Sequence, residues 1–196
     1  SHGFSSLKDQ DYFKSEVRHL CDKVGELFGQ KPKIFRNSCL VYDDEIGEHV
    51  AGMGFKGMLA EGAKHILGWK SPHFVYNCSR NPNLKLLLRD YTLSENISYR
   101  FNDSSWSEYP LFADTYANWI AALPEEEQVI NIFMELSALG IAQPLSSNIH
   151  KDIYYLLFFR KSCNPIHIGV GKKRVARPIA VVETQGYIIA QGDVTK

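Results

Sequence analysis

Hydrophobic positions alternate between helical and strand-like spacing along most of the chain. Apolar residues at three- and four-residue intervals predict a first helix from Ser5 or Ser6 to about Phe28. A second helix is expected to begin at a cap on Asp43 or Asp44 and to close at Gly52. Short apolar runs predict strands at 33–36, 55–59 and 128–134, and strands or buried turns at 74–76 and 84–88. Further helices are expected at 94–101 and, from apolar residues at helical spacing, at 112–123.

This order of helices and strands with short connections predicts an α/β fold built on a parallel sheet or barrel. The run at 128–134 is almost wholly apolar, as is typical of a parallel strand that is covered on both faces. We therefore expect the strands at 33–36, 55–59 and 128–134 to be parallel neighbours or near-neighbours in one curved sheet, with helices outside.

The composition changes near Asn148. Residues 150–196 hold eight Lys or Arg and three Asp or Glu, whereas the first 149 hold fourteen and nineteen. We expect residues 1–149 to form the barrel part and residues 150–196 to be a divergent C-terminal segment that packs poorly on it. Within that segment, the runs 175–182 and 187–190 are separated by four residues and predict a β-hairpin.

Composition narrows the class of protein. The 196 residues carry a net charge of +0, which gives no general argument for binding to nucleic acid or to an anionic membrane. No apolar run is long enough to span a bilayer, and the start lacks the pattern of a signal peptide. The four cysteines are scattered, as is typical of reduced residues in a cytoplasmic protein, and predict no zinc site. We expect neither a metal nor a cofactor.

Two glutamates each follow an apolar strand. Glu61 comes just past the run 55–59, and Glu135 directly follows the run 128–134. Ligands and catalytic groups collect at the carboxyl ends of parallel strands. Glycoside hydrolysis uses two carboxyl groups, one that attacks or stabilises the sugar and one that protonates the leaving group. Arg36 ends another strand, where a cation can bind a sugar hydroxyl or orient a carboxylate. For Glu61 a solvated surface loop explains the pattern equally well, and two glutamates at strand ends also arise by chance in many α/β proteins. A solvated side chain explains Arg36 slightly less well, because Arg36 lies between Phe35 and the apolar run 39–41.

The neighbours of the two glutamates suggest different environments. Lys64, His65 and Lys70 follow Glu61 closely and are candidates to hold it ionised. Glu135 comes after a wholly apolar strand and is expected to be the better shielded from water. By this interpretation Glu61 is the ionised partner and Glu135 the proton donor.

Five segments carry a resemblance to a known family. They are Ser1-His2-Gly3, FRNSCLVYDDEIG (35–47), GFKGMLAEGAKHILGWKSPH (54–73), YPLFADTYANWIAALP (109–124) and INIFMELSALG (130–140). In this order they resemble glycoside hydrolase family 57, the α-amylase and 4-α-glucanotransferase group. The likeness covers residues 1 to about 149, and the central segment is long and specific.

The resemblance implies a partial (β/α)7-type barrel and a retaining mechanism on α-glucans or oligosaccharides, without a metal or a cofactor. By motif, Glu61 matches the nucleophile and Glu135 the general acid, whose carboxyls in a retaining enzyme lie about 5–5.5 Å apart. His2, Arg36 and Trp69 match positions near the bound sugar.

The chain also departs from the family pattern. The general acid is usually Asp, and the acidic residue two places after it is here Ser137. The family's first barrel strand is not among these residues. A catalytically silent carbohydrate-binding relative is therefore an alternative to an α-glucan hydrolase or transferase. A polysaccharide deacetylase is another, but it needs an Asp/His/His metal site, for which only His2 is suggestively placed.

Overall fold

The computed structural model describes residues 10–124, 126–139, 143, 146 and 179–182. The chain divides into two compact units, Ser1–Arg89 and Asp90–Lys196. The strands are β1 (Ile34–Arg36), β2 (Gly57–Glu61), β3 (Tyr76–Asn77), β4 (Lys85–Arg89), β5 (Ile130–Phe133) and β6 (Ile179–Val182). The α-helices are α1 (Gln10–Phe28), α2 (Asp44–Gly52), α3 (Lys64–Leu67), α4 (Tyr91–Glu95) and α5 (Ala113–Ala121).

The first unit contains a four-stranded sheet in the order β1-β2-β4-β3. Strands β1, β2 and β4 are parallel, and only the short β3 runs antiparallel, against β4. The register pairs Arg36 with Leu59 and Glu61 with Arg89, so the three parallel strands end at the same edge of the sheet. The expectation that β1 and β2 are parallel neighbours is confirmed.

Two helices cover one face of this sheet. Alternate residues of the strands, which include Met58 and Ala60, turn to that face because side chains along a strand alternate between its two sides. They form one core with α1 and α2, whose buried members are Phe13, Val17, Ile46, Val50, Phe55, Met58, Ala60, Cys78, Leu84, Leu86 and Leu88. The opposite face of β1, β2 and β4 is therefore the one that can present a site.

Helix α2 begins as the sequence predicts. The carboxylate of Asp43 accepts a hydrogen bond from the backbone N–H of Ile46 at 2.7 Å, and this cap satisfies an otherwise unpaired donor of the first turn. The next residue, Asp44, accepts hydrogen bonds from the hydroxyl of Tyr42 at 2.7 Å and from the backbone N–H of Ser79 at 3.2 Å. Hydrogen bonds from Ser79, and next from Tyr42, hold the pKa of Asp44 below its usual value.

Replacing Tyr42 with phenylalanine is expected to destabilise the protein by about 1 kcal/mol near pH 7, because one hydrogen bond to an ionised carboxylate is lost. The lowered pKa of Asp44 means that its contribution is full above the unfolded-state pKa and is lost as the pH falls through the folded-state pKa. The cost of Tyr42→Phe should therefore shrink below about pH 4. Urea unfolding midpoints near pH 7 and near pH 3 measure this difference. Tyr99→Phe, at an exposed tyrosine, is the control, and an equal cost of Tyr42→Phe at both pH values would contradict the prediction.

The second unit has its own core. Ile130, Ile132 and Met134 of the β5 segment pack against the helical residues of the same unit, in a cluster that also contains Leu93, Ile97, Phe101, Leu111, Tyr116, Ile120 and Ala138. The helix expected at 94–101 is instead α4 followed by a π-helical turn at Asn96–Arg100. Helix α5 lies within the expected 112–123.

Strand β5 pairs in parallel with β6, in a sheet of these two strands. The expectation that it shares one sheet with β1 and β2 is therefore not met among the described strands. Residues of β6 come from the segment 150–196, so part of that segment contributes to a sheet. The second arm of the expected hairpin, 187–190, lies outside the described residues.

No helix within the described ranges combines the length and apolar character that a membrane crossing needs. The three cysteines in the described part of the chain, Cys21, Cys39 and Cys78, are free thiols.

Candidate active site at the carboxyl ends of the parallel strands

Glu61 is the last residue of β2 and not, as expected, a residue just beyond the strand. Met58 and Ala60 face the core with α1 and α2, so the alternation along β2 turns Leu59 and Glu61 to the opposite face. The carboxylate thus stands at the carboxyl end of a parallel strand, on the side away from the helices. This is the location where the active sites of barrel enzymes lie.

Arg89, the last residue of β4, is the register partner of Glu61. Its Nη1 donates to Oε2 of Glu61 at 3.1 Å, and the two side chains are 11% and 31% exposed, respectively. The other oxygen of Glu61, Oε1, is buried and has no hydrogen-bond partner in the part of the chain that the structure describes. A carboxylate in such a setting loses hydration, and the guanidinium compensates part of that loss.

Gly62 allows β2 to leave the sheet directly beside β4. Its N–H donates to the carbonyl oxygen of Arg89 at 3.1 Å. A Cβ at this position would lie 2.2 Å from the same oxygen and 3.0 Å from Cβ of Pro72. A glycine at this position therefore permits the close approach of the two strand ends.

Gly62→Ala is expected to destabilise the protein by about 1–3 kcal/mol, since the strand ends must separate to admit a methyl group. The matched control is Gly52→Ala at the end of α2, where a Cβ meets nothing within 4 Å. That change should stabilise the protein by about 0.4–1 kcal/mol, because it lowers the entropy of the unfolded chain. Urea unfolding of both variants measures the difference, and equal effects of the two changes would contradict this geometry.

The other residues predicted near the sugar, Arg36, Trp69 and His2, lie on different segments of the chain. Arg36 ends β1 at the same edge as Glu61 and is paired in register with Leu59. Trp69 follows α3 and is 92% exposed, so its ring is available to a ligand. His2 lies outside the described residues.

The residues expected to hold Glu61 ionised are not the ones that pair with it. Lys64, His65 and Lys70 are all exposed, whereas the ion pair is made by Arg89. Sequence reasoning missed Arg89. The signal was present, because an apolar run that ends in a charged residue is the same pattern that singled out Glu61.

Glu135 belongs to the second unit and follows β5 by two residues. Ile130, Ile132 and Met134 face the helices of that unit, so Asn131 and Phe133 face the other side. Glu135 itself is exposed, and its Oε2 accepts a hydrogen bond from the hydroxyl of Ser137 at 3.0 Å. The prediction that Glu135 is better shielded from water than Glu61 is therefore wrong.

The cause is the point at which the strand ends. The apolar run continues to Met134, but β5 ends at Phe133 and a 3-10 turn at Leu136–Leu139 follows at once. The backbone N–H of Ala138 donates to the carbonyl oxygen of Glu135 at 2.9 Å, so Glu135 opens this turn at the surface. An apolar strand does not shield the residue that begins the next turn.

The fold and these charged strand ends define an α/β protein with a parallel-dominated sheet and a candidate active site at the carboxyl ends of its strands. The sequence model of glycosyl hydrolase family 57 matches residues 1–162. The chain belongs to this family. The match extends past the boundary expected at residue 149.

A relative from Methanocaldococcus jannaschii that carries the name "Putative alpha-amylase" is 38% identical to this chain over 157 residues. The match covers 79% of this chain and 32% of the relative, so the chain spans about a third of the length of that relative.

Proposed function

We propose that the protein is a retaining glycoside hydrolase or glucanotransferase that acts on α-glucans, with Glu61 as its nucleophile. The observation that carries the proposal is the position of Glu61, at the carboxyl end of a parallel strand, away from the helices and paired with Arg89. Membership of glycosyl hydrolase family 57 supports it, and so does the name of the relative from M. jannaschii.

In the proposed reaction, a carboxylate oxygen of Glu61 attacks the anomeric carbon and the bond from that carbon to the leaving oxygen breaks. Glu135 gives its proton to the leaving oxygen. A water molecule or a second sugar hydroxyl then attacks the glycosyl ester, Glu135 takes the proton, and Glu61 leaves as a carboxylate. Water gives hydrolysis, and a sugar hydroxyl gives transfer.

Trp69 and Arg36 are proposed to bind the sugar, together with His2. The exposed indole of Trp69 offers a flat apolar surface to a pyranose ring. Arg36 ends β1 at the edge that carries Glu61, where its guanidinium can donate hydrogen bonds to sugar hydroxyls.

A catalytically silent carbohydrate-binding protein is the second candidate. The surroundings of Glu135 favour it. A general acid must carry its proton before the reaction, and burial is one means of keeping it there. Glu135 is exposed instead, and Ser137 stands where the family pattern has an acidic residue.

One experiment separates the two candidates. Maltooligosaccharide is added to the protein, and proton NMR follows the anomeric configuration of the first product while calorimetry measures binding. The retaining enzyme should release a product with the α configuration before mutarotation mixes the two anomers. Binding of the oligosaccharide without any product would favour the silent carbohydrate-binding protein, and a first product with the β configuration would contradict the retaining mechanism.

A further inference from the structure

We propose that Arg89 is the positioning residue of Glu61 in the reaction, an inference that rests on the proposed function. The two residues are paired in register at the ends of adjacent parallel strands, and Nη1 of Arg89 lies 3.1 Å from Oε2 of Glu61. A guanidinium at one carboxylate oxygen restricts the rotation of the side chain. Glu61 is thereby presented in one orientation to the anomeric carbon.

The burial of this ion pair distinguishes it from a surface contact. The side chain of Arg89 is 11% exposed, whereas the pair between Arg80 and Glu48 has side chains that are 52% and 53% exposed. Water screens an exposed ion pair and competes for its hydrogen bonds. Such a pair therefore restricts the orientation of its side chains only weakly. The pair of Arg89 and Glu61 is mostly removed from water, where charge-assisted hydrogen bonds are strong and directional.

The backbone of Arg89 is held by the same strand ends. Its carbonyl oxygen accepts a hydrogen bond from the N–H of Gly62 at 3.1 Å, and its strand pairs with β2 over five residues of register. Both ends of the ion pair are therefore mounted on regular strands. Sites on strands hold geometry better than sites on loops, because the backbone cannot shift independently of its neighbours.

The charge of Arg89 also has a consequence for the second half of the reaction. When the glycosyl ester of Glu61 breaks, the carboxylate regains its negative charge beside the guanidinium. Arg89 stabilises that charge, so it makes Glu61 a better leaving group. Loss of Arg89 should therefore slow both formation and breakdown of the intermediate, and lower kcat far more than it raises KM.

The test measures how fast an activated fluoro-glycoside with a glucose unit labels Glu61 covalently. Three variants are compared with the unchanged protein. Arg89→Met removes the charge but keeps a long side chain, and Arg89→Lys keeps the charge but removes the planar guanidinium. Arg80→Met is the control. Arg89→Met should slow labelling by about 100-fold, as a displaced reacting group does. Arg89→Lys should recover part of this loss, and Arg80→Met should label at the rate of the unchanged protein. Maltooligosaccharide affinity should stay within about threefold in all variants, because Arg89 is not proposed to touch the sugar.

The outcomes separate this inference from the proposed function. Labelling of Arg89→Met at the rate of the unchanged protein would overturn the positioning role and leave the proposed function intact. An equal loss of labelling and of oligosaccharide affinity would make Arg89 a binding residue and also overturn it. Absence of labelling in the unchanged protein would contradict the proposed function itself, and the positioning role with it. If Arg89→Met fails to fold, Arg89→Lys gives the same decision through its labelling rate and its affinity.

Discussion

Glu61→Gln is expected to lower the turnover of α-glucans by about 10⁴-fold or more, because an amide cannot form the glycosyl ester on which the retaining mechanism depends. The substitution keeps the size of the side chain and an oxygen that can accept a hydrogen bond from Arg89. It removes the negative charge that the guanidinium compensates. Steady-state kinetics with maltooligosaccharide measure the loss.

The matched control is Glu48→Gln, which removes the carboxylate of an exposed ion pair with Arg80 in the same unit. It should leave turnover unchanged, since exposed pairs contribute little to stability and Glu48 has no role in the proposed chemistry. Near-ultraviolet circular dichroism shows whether each variant is folded. Full activity of folded Glu61→Gln would exclude Glu61 as the nucleophile.

Glu135→Gln is expected to have an effect that depends on the leaving group. A substrate with a sugar as leaving group needs protonation, so its turnover should fall by about 10²–10⁴-fold. The phenolate of an activated aryl glycoside leaves without a proton. Formation of the glycosyl ester from this substrate should therefore be nearly unaffected. The initial burst of released phenol, measured in the first turnover, isolates that step.

Glu126→Gln, at another exposed glutamate of the second unit, is the control and should change neither rate. An equal loss on both substrates would remove Glu135 from the role of general acid. Glu135 is exposed and accepts a hydrogen bond from Ser137, so its surroundings do not shield the proton that a general acid must carry.

The local elements could be predicted because their signals are local. The cap at Asp43 and the end of the helix at Gly52 mark α2 in the sequence as they do in the structure. The positions of β1, β2 and β5 follow from apolar runs, with shifts of one or two residues at their ends. The parallel pairing of β1 and β2 follows from the helix that connects them.

The pairing of β5 with β6 could not be read in the same way. These strands are separated by forty-five residues, and a contact over such a separation leaves no periodic signal in either segment. The exposure of Glu135 was missed for a different reason. The apolar run predicts that the strand is buried, but the exposure of Glu135 depends on the 3-10 turn that follows the strand.

At the candidate site, the sequence predicted the residues at the ends of individual strands but not their partners. Glu61 and Arg36 were found because each ends an apolar run. The ion pair of Glu61 with Arg89 depends on the register between β2 and β4, in which five successive residues of each strand are paired. Register is a property of two strands together, so the nearby Lys64, His65 and Lys70 were predicted in place of Arg89.

Trapping the glycosyl-enzyme intermediate tests directly whether Glu61 is the nucleophile. The protein is incubated with an activated fluoro-glycoside that has a glucose unit, digested, and examined by mass spectrometry. We expect one added fluoro-glucosyl group on the peptide that contains Glu61, and no label in Glu61→Gln. A label on a different residue, or a protein that hydrolyses α-glucan yet never takes up the label, would contradict it.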